Sequence, residues 1–223
     1  IGEIQVRSGG WIPAAELRDV VLEDRRGREA LRLPRVHAAL SVPSLLALRL
    51  RFEQLLIEDA RLEVRRDAQG RWHVAGLDVD LAQAEGEAGV EGSAAADWLF
   101  EQQEFVIRGG VLRWVDELRG AAPLQLNDVL LVMRNPGRRH EFRLDATPPA
   151  GWGQRFSLRA LARSPLLARP GDWQRWKGAL YADLPDVDVN GLRQHVDLPV
   201  DLQHGQATLR AWVDWDQALP LEL

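Results

Sequence analysis

The chain has no cysteine, which removes disulfides, thiolate metal sites and cysteine nucleophiles. That absence leaves the compartment open, because cysteine-free chains occur inside and outside the cytosol. Neither G-x-S-x-G nor S-x-x-K occurs, so acyl-transfer chemistry lacks its usual motifs. No apolar run approaches the ~20 residues of a transmembrane helix, and no leader pattern heads the sequence. Lysine is nearly missing: Lys177 stands alone, and arginine supplies the remaining positive charge. We read that bias as base composition. The net charge of −5 gives no basic face for nucleic acid. What is abundant is tryptophan, nine in 223 residues, a supply of wide side chains suited to broad apolar surfaces.

One stretch organises the rest. Glu104 to Asp116 (EFVIRGGVLRWVD) reads as an apolar strand, a glycine break and a second strand. In the second part Leu112 and Trp114 point one way, and Val111, Arg113 and Val115 the other. Leu55 to Val64 (LLIEDARLEV) and Val200 to Trp212 (VDLQHGQATLRAW) repeat the module. A second repeat, L-x-D-V-[VL]-L, occurs at Leu17–Leu22 and again at Leu126–Leu131.

Around these copies the pattern is strand after strand. Leu17–Leu22 and Ala30–Leu33 form a hairpin signal around the turn at Gly27. Ser41–Leu48 and Val187–His195 predict short helices, as does Asp97–Gln103, while Asp172–Tyr181 is open between helix and strand. Ala82–Ala96 has no periodicity and reads as a mobile linker. The expected layout is one elongated β segment: a first repeat region over 1–81, a loop over 82–97, and a second repeat region over 98–223. The helices are too few to cover so much one-face-apolar sheet. The fold class expected is therefore mainly β, a repeating and mostly antiparallel sheet with a few short helices that either closes on itself or curls into a trough with an apolar interior.

Candidate chemistry is sparse. Asp186-Val187-Asp188-Val189-Asn190-Gly191 with Asp197 fits a degenerate calcium loop. Pro185 blocks an entering helix, so a capped loop-to-helix junction is the simpler reading. The five histidines are scattered without metal-pair spacing and read as surface or strand residues. The pair Gly109-Gly110 precedes a strand, not a helix, and reads as a bulge or bend, not a phosphate loop. Trp72, Trp114, Trp152, Trp212 and Trp215 suit either a ligand surface or a core. No cofactor and no catalytic residue are implied.

Phe52–Trp72, Phe105–Asp116, Leu126–Asn135, Arg139–Pro149, Tyr181–Pro199 and Gly205–Trp215 together resemble the AsmA-like superfamily, and its long YhdP branch most closely. The resemblance covers most of the chain through repeat grammar, without a catalytic signature. It implies a periplasmic segment of an inner-membrane-anchored protein of Gram-negative bacteria. It also implies that the sheet takes the second form, a curved antiparallel repeating β-groove or trough, which carries phospholipid between inner and outer membrane. The chain starts at Ile1 and stops within a strand pattern, so the anchor is expected outside this sequence. Envelope proteins are expected partners. The family supplies no site residues. Strand alternation proposes the groove floor: Leu62, Val64, Leu112, Trp114, Val129, Leu131, Phe142, Leu144, Phe156, Leu158, Leu209 and Ala211. The competing reading is a non-catalytic β-scaffold for envelope assembly, with the same faces packed into a closed dry core.

Overall fold

The computed structural model describes residues 3–7, 14–23, 29–40, 51–74, 77–79, 97–195, 205–216 and 219–222. Among them, fourteen strands join one sheet. In chain order these are β1 (Glu3–Arg7), β2 (Ala14–Glu23), β3 (Glu29–Leu40), β4 (Phe52–Glu58), β5 (Arg61–Arg66), β6 (Trp72–Val74) and β7 (Leu77–Val79). After the linker come β8 (Glu104–Asp116), β9 (Leu124–Arg134), β10 (Arg139–Thr147), β11 (Phe156–Arg163), β12 (Lys177–Asp188), β13 (Gln206–Asp216) and β14 (Leu219–Glu222). Two short helical segments accompany them, α1 (residues 97–101) and α2 (Val189–Arg193). The expected helix at Ser41–Leu48, the Gly27 turn and the linker Ala82–Ala96 lie outside the described residues. Asp97, placed at the end of the linker, belongs to α1.

The sheet is antiparallel except at one junction. There β4 and β5 pair in parallel with successive halves of β8, Ile57 beside Ile107 and Leu62 beside Leu112. The first two copies of the repeated module are therefore direct neighbours, lying side by side in the same direction. The sheet is mostly antiparallel, as expected, and this junction makes it mixed. The module repeats its residue order, so in-phase parallel pairing sets like against like: leucine on leucine, isoleucine on isoleucine. From this junction the main path runs outward through β3, β2 and β1 on one side and through β9 to β14 on the other, while β6 and β7 branch from β5.

The glycine pair does not divide β8 into two strands. The strand continues through Gly109 and Gly110, and its register against β9 shifts there. Gly109 has φ +68°, and a Cβ on Gly110 would press on Ile107 and the Ala60 carbonyl. Similar irregularities cross the neighbouring strands. Asp19, Asp59, Asp128 and Asp186 all take positive φ, between 48° and 58°. Aspartate is one of the few residues that tolerates this region, through its short polar side chain. Asp19 and Asp128 are the same position of the L-x-D-V repeat, so that motif marks a left-handed kink. Asp59 donates its backbone N–H to Arg108 O, and Val111 donates to Ala60 O, which sets the β4–β5 kink beside Gly109. Aligned bulges bend their strands and increase local twist. This line of kinks is the crease along which the sheet folds into a trough.

Packing is continuous past the crease. Leu33, Val20 and Leu62 from one flank pack with Val36, Ala38, Leu55, Ile57 and Ile107 from the other. Leu126, Val129 and Ala146 do the same farther along, with Leu112, Leu124, Leu144 and Phe156 around them.

Asp172–Tyr181 resolves into a 3-10 turn at Trp173–Arg175 followed by β12. The helical spacing of Trp173, Trp176 and Leu180 was coincidental: Leu180 sits in a strand, paired with Ala160.

Candidate functional site: an apolar face with polar rims

Directly paired residues on neighbouring strands project to the same side of a sheet, so register assigns each side chain to a face. One row runs Val36, Ile57, Ile107, Leu131, Leu144, Leu158, Ala182 and Ala211, from β3 to β13. The next row on that face runs Ala38, Leu55, Phe105, Met133, Phe142, Ala160, Leu180 and Val213. Beyond the crease Leu62, Leu112 and Leu126 form a third row, and Val64, Trp114 and Leu124 a fourth. Val129 pairs with Gly110, Phe156 with Ala146 and Leu209 with Leu184.

All twelve residues proposed for the floor lie on this one face. Within each strand they follow simple alternation, but across the bulges alternation alone would misplace a neighbour. Leu126 and Val129 differ in parity along β9 yet share the face, because the bulge at Asp128 resets the phase. At a strand spacing of about 4.8 Å the first row spans seven intervals, roughly 34 Å. That exceeds the depth of one leaflet, about half of a ~30 Å bilayer core.

The opposite face mixes apolar residues such as Leu56, Val106 and Val132 with charged ones, and ion pairs cross-link it. Arg134 and Gln54 both donate to Glu104 at 2.7 Å. Arg113 meets Glu63 at 2.9 Å, Arg143 meets Asp145 at 2.7 Å, and Arg35 meets Glu58 at 3.2 Å. Exposed pairs of this kind add little stability singly. Their contribution is to register: a one-residue slip would bring this charge onto the apolar face.

The apolar face ends in polar groups at both strand ends. At one rim Asp116, 1 % exposed, accepts Arg66 Nε at 3.0 Å and Nη2 at 2.6 Å. The backbone N–H of Arg119 adds a third bond at 3.1 Å. His195, just past α2, lies near this cluster and beside Trp152 at 5.5 Å between ring centroids. Burial pushes the His195 imidazole below its ordinary pKa; Asp116 opposes the shift and Arg119 adds to it.

At the other rim α1 lies over the face. Phe100 meets Phe142, His140 and Trp176 edge-on, and His140 stacks on Trp176 at 3.6 Å. Gln102 is fully buried, accepts the N–H of Phe52 at 2.7 Å and donates to the Trp98 carbonyl. Asn135 Nδ2 donates to the Gln102 carbonyl at 2.9 Å, which leaves Asn135 Oδ1 as acceptor for His140 Nδ1 at 2.8 Å. The histidine is thus the Nδ1–H tautomer, and its Nε2 is buried without a partner. Burial lowers its pKa to about 4. Of the two readings offered for the histidines, surface or strand, His140 takes the second: it lies in β10 with its ring only 2 % exposed. The knot joins residues 102, 135, 140 and 176, which no sequence spacing links.

Of the tryptophans singled out, Trp114 is half-buried on the apolar face, Trp215 covers Gly178, and Trp152 packs on Gly191. Trp212 points to the opposite face, 65 % exposed beside Tyr181. Only the backbone of Trp72 is described. The degenerate calcium loop resolves into the capping junction: Asp188 accepts the Gly191 N–H at 2.9 Å as the N-cap of α2. Asp186 occupies the β12 kink and Asn190 is exposed, while Asp197 lies outside the described residues. Among the described residues no group of three or more His, Cys, Asp or Glu could hold a metal.

An open, creased sheet with one apolar face, one ion-paired face and polar rims defines a β-trough protein. The chain belongs to the YhdP protein family, whose model matches residues 1–223. It is a family of bacterial envelope proteins related to lipid transport. No curated protein and no solved structure matches the chain. Among the described residues no helix is long and apolar enough to cross a membrane.

Proposed function

We propose that this chain is one section of a phospholipid conduit between the inner and outer membranes, held in the periplasm by an inner-membrane anchor outside the sequence. Acyl chains lie on the apolar face, and headgroups stay at the polar rims and in water. The carrying observation is the state of the large floor residues. Leu112, Trp114, Phe142, Leu144, Phe156, Leu158, Leu180 and Val213 lie on this face and are only half-buried, although Val36, Ile57, Ile107 and Met133 on the same face are buried. A closed β-core would bury them fully.

The mechanism is shelter. Each methylene kept out of water is worth about 0.8 kcal/mol, so a row longer than an acyl chain removes most of the barrier to crossing an aqueous gap. Such a path needs no catalytic group. Direction would come from partner proteins or from a lipid gradient. The scaffold reading differs in one respect: its apolar face would be dry and filled.

Mass spectrometry of the purified chain tests this directly. Phospholipid should co-purify, and Leu144→Asp should abolish it while the far-UV circular dichroism stays that of a folded β-protein. Recovery of no lipid from the wild-type chain would refute the proposal.

A further inference from the structure

Leu166 and Leu167 form the apex of the β11–β12 connection and are 72 % and 96 % exposed. They are held there. Leu167 has φ +66°, a conformation that leucine rarely adopts. The base of the turn is fixed by Ser164 N–H to Arg138 O at 3.0 Å and Ala168 N–H to Pro165 O at 3.4 Å. Asp97 of α1 clamps the far side, accepting Arg169 Nη2 and the Gly171 N–H, each at 2.7 Å. A clamped, strained turn that presents two leucines to water is a device for contact, since a free turn would fold them inward.

Cations surround its base. Arg139, Arg163 and Lys177 are consecutive register partners across β10, β11 and β12. Like charges directly opposite on a sheet disfavour pairing. Arg139 is matched by Glu141 at 2.9 Å. Arg138, Arg163 and Lys177 are exposed and form no ion pair among the described residues. All three members of the row line a depression of about 530 Å³ together with Leu161, Asp214 and Asp216, and Asp216 is the register partner of Lys177 on β13. The chain as a whole carries −5, so this collar is a local feature.

We propose that the Leu166–Leu167 turn docks on an anionic bilayer surface, the two leucines entering the boundary between headgroups and acyl chains and the cation collar facing lipid phosphates. Apolar insertion combined with basic side chains is the general chemistry of peripheral membrane contact. Charge complementarity selects the lipid surface as occupant. So does shape: two side chains on a convex apex cover far less than the ~800 Å² that each side of a stable protein interface buries. The proposal is independent of what occupies the trough.

Flotation of the 223-residue chain with vesicles tests it. Vesicles containing phosphatidylglycerol should carry the chain, phosphatidylcholine vesicles should carry much less, and salt should weaken binding. Leu166→Ser with Leu167→Ser, and separately Arg163→Glu with Lys177→Glu, should each reduce partition about tenfold or more, with co-purified lipid unchanged. Leu144→Asp should leave flotation unchanged, so failure of docking and failure of the conduit give different patterns. Equal flotation of the turn variants and wild type would overturn the proposal. So would salt-insensitive binding to phosphatidylcholine alone, or turn variants that lose a captured protein while still floating.

Discussion

Acid should loosen one rim of the trough before it unfolds the rest, and His140 is the reason. Its Nδ1 donates to Asn135, its Nε2 has no partner, its ring stacks on Trp176, and 2 % of it is exposed. A proton on Nε2 would place a charge where nothing solvates it. In the unfolded chain the group titrates near 6.5; in the fold it does so at about 4. Between those values the unfolded state binds more protons, so stability falls as pH falls through the window. At 1.36 kcal/mol per pK unit the full loss is roughly 3 kcal/mol, a large fraction of the ~5–15 kcal/mol that holds a typical domain. His195 is lowered in the same direction, also first by burial. Glu104 and Asp145 act at lower pH. Burial raises their carboxyls, but hydrogen bonds from Arg134 and Gln54, and from Ser157 and Arg143, bring them below 4.5 and 3.8. Their contribution is present above those unfolded values and is lost only as pH falls below them. Urea unfolding followed by tryptophan fluorescence, at about pH 7 and about pH 4.5, isolates the histidine by comparison with His140→Phe. The variant keeps the ring stack and should lose about 1 kcal/mol near pH 7 through its missing hydrogen bond. Its stability should then fall by some 2–3 kcal/mol less than wild type on acidification. Parallel pH profiles for the two proteins would refute the reasoning.

Three further outcomes follow from the geometry. Asp116→Ala removes both side-chain bonds of Arg66 at a site 1 % exposed; the cost should be about 3 kcal/mol in urea unfolding, at the low end for a broken buried pair because Arg66 is 20 % exposed. Gly178→Ala should destabilise by about 1–3 kcal/mol, since a Cβ there would overlap the Leu161 carbonyl oxygen and the Trp215 indole; unchanged thermal melting would contradict that packing. Leu167→Gly should raise the melting temperature, as relief of a left-handed leucine, worth about 1–2 kcal/mol, outweighs the added chain entropy of glycine, about 0.5–1 kcal/mol.

The faces of the strands were legible in the sequence because the side-chain period of two is local. Leu112 with Trp114, Phe142 with Leu144 and Phe156 with Leu158 each declare a side within one strand. Their union into a single face was not legible. It depends on which strands pair and on where bulges reset the phase, as at Asp128 between Leu126 and Val129. A clue to the bulges was present, since the L-x-D-V repeat carries its aspartate at the kink in both copies. Nothing marks two copies of a module as parallel neighbours, so the β4–β8 pairing came only with the structure. The rims were hidden for a different reason. Gln102, Asn135, His140 and Trp176 come from four segments, and a histidine read alone has no reason to be buried. Trp212 shows the reverse: an aromatic residue on a strand of the trough that faces away from it.

The central claim is that lipid acyl chains occupy the apolar face. Photoreactive residues at Leu112, Leu144 and Leu180, with matched positions at Arg113, Arg143 and Arg159 on the opposite face, test it in intact cells. The conduit reading predicts phospholipid adducts from the first set and none from the second. Adducts from neither set, or equally from both, would contradict it.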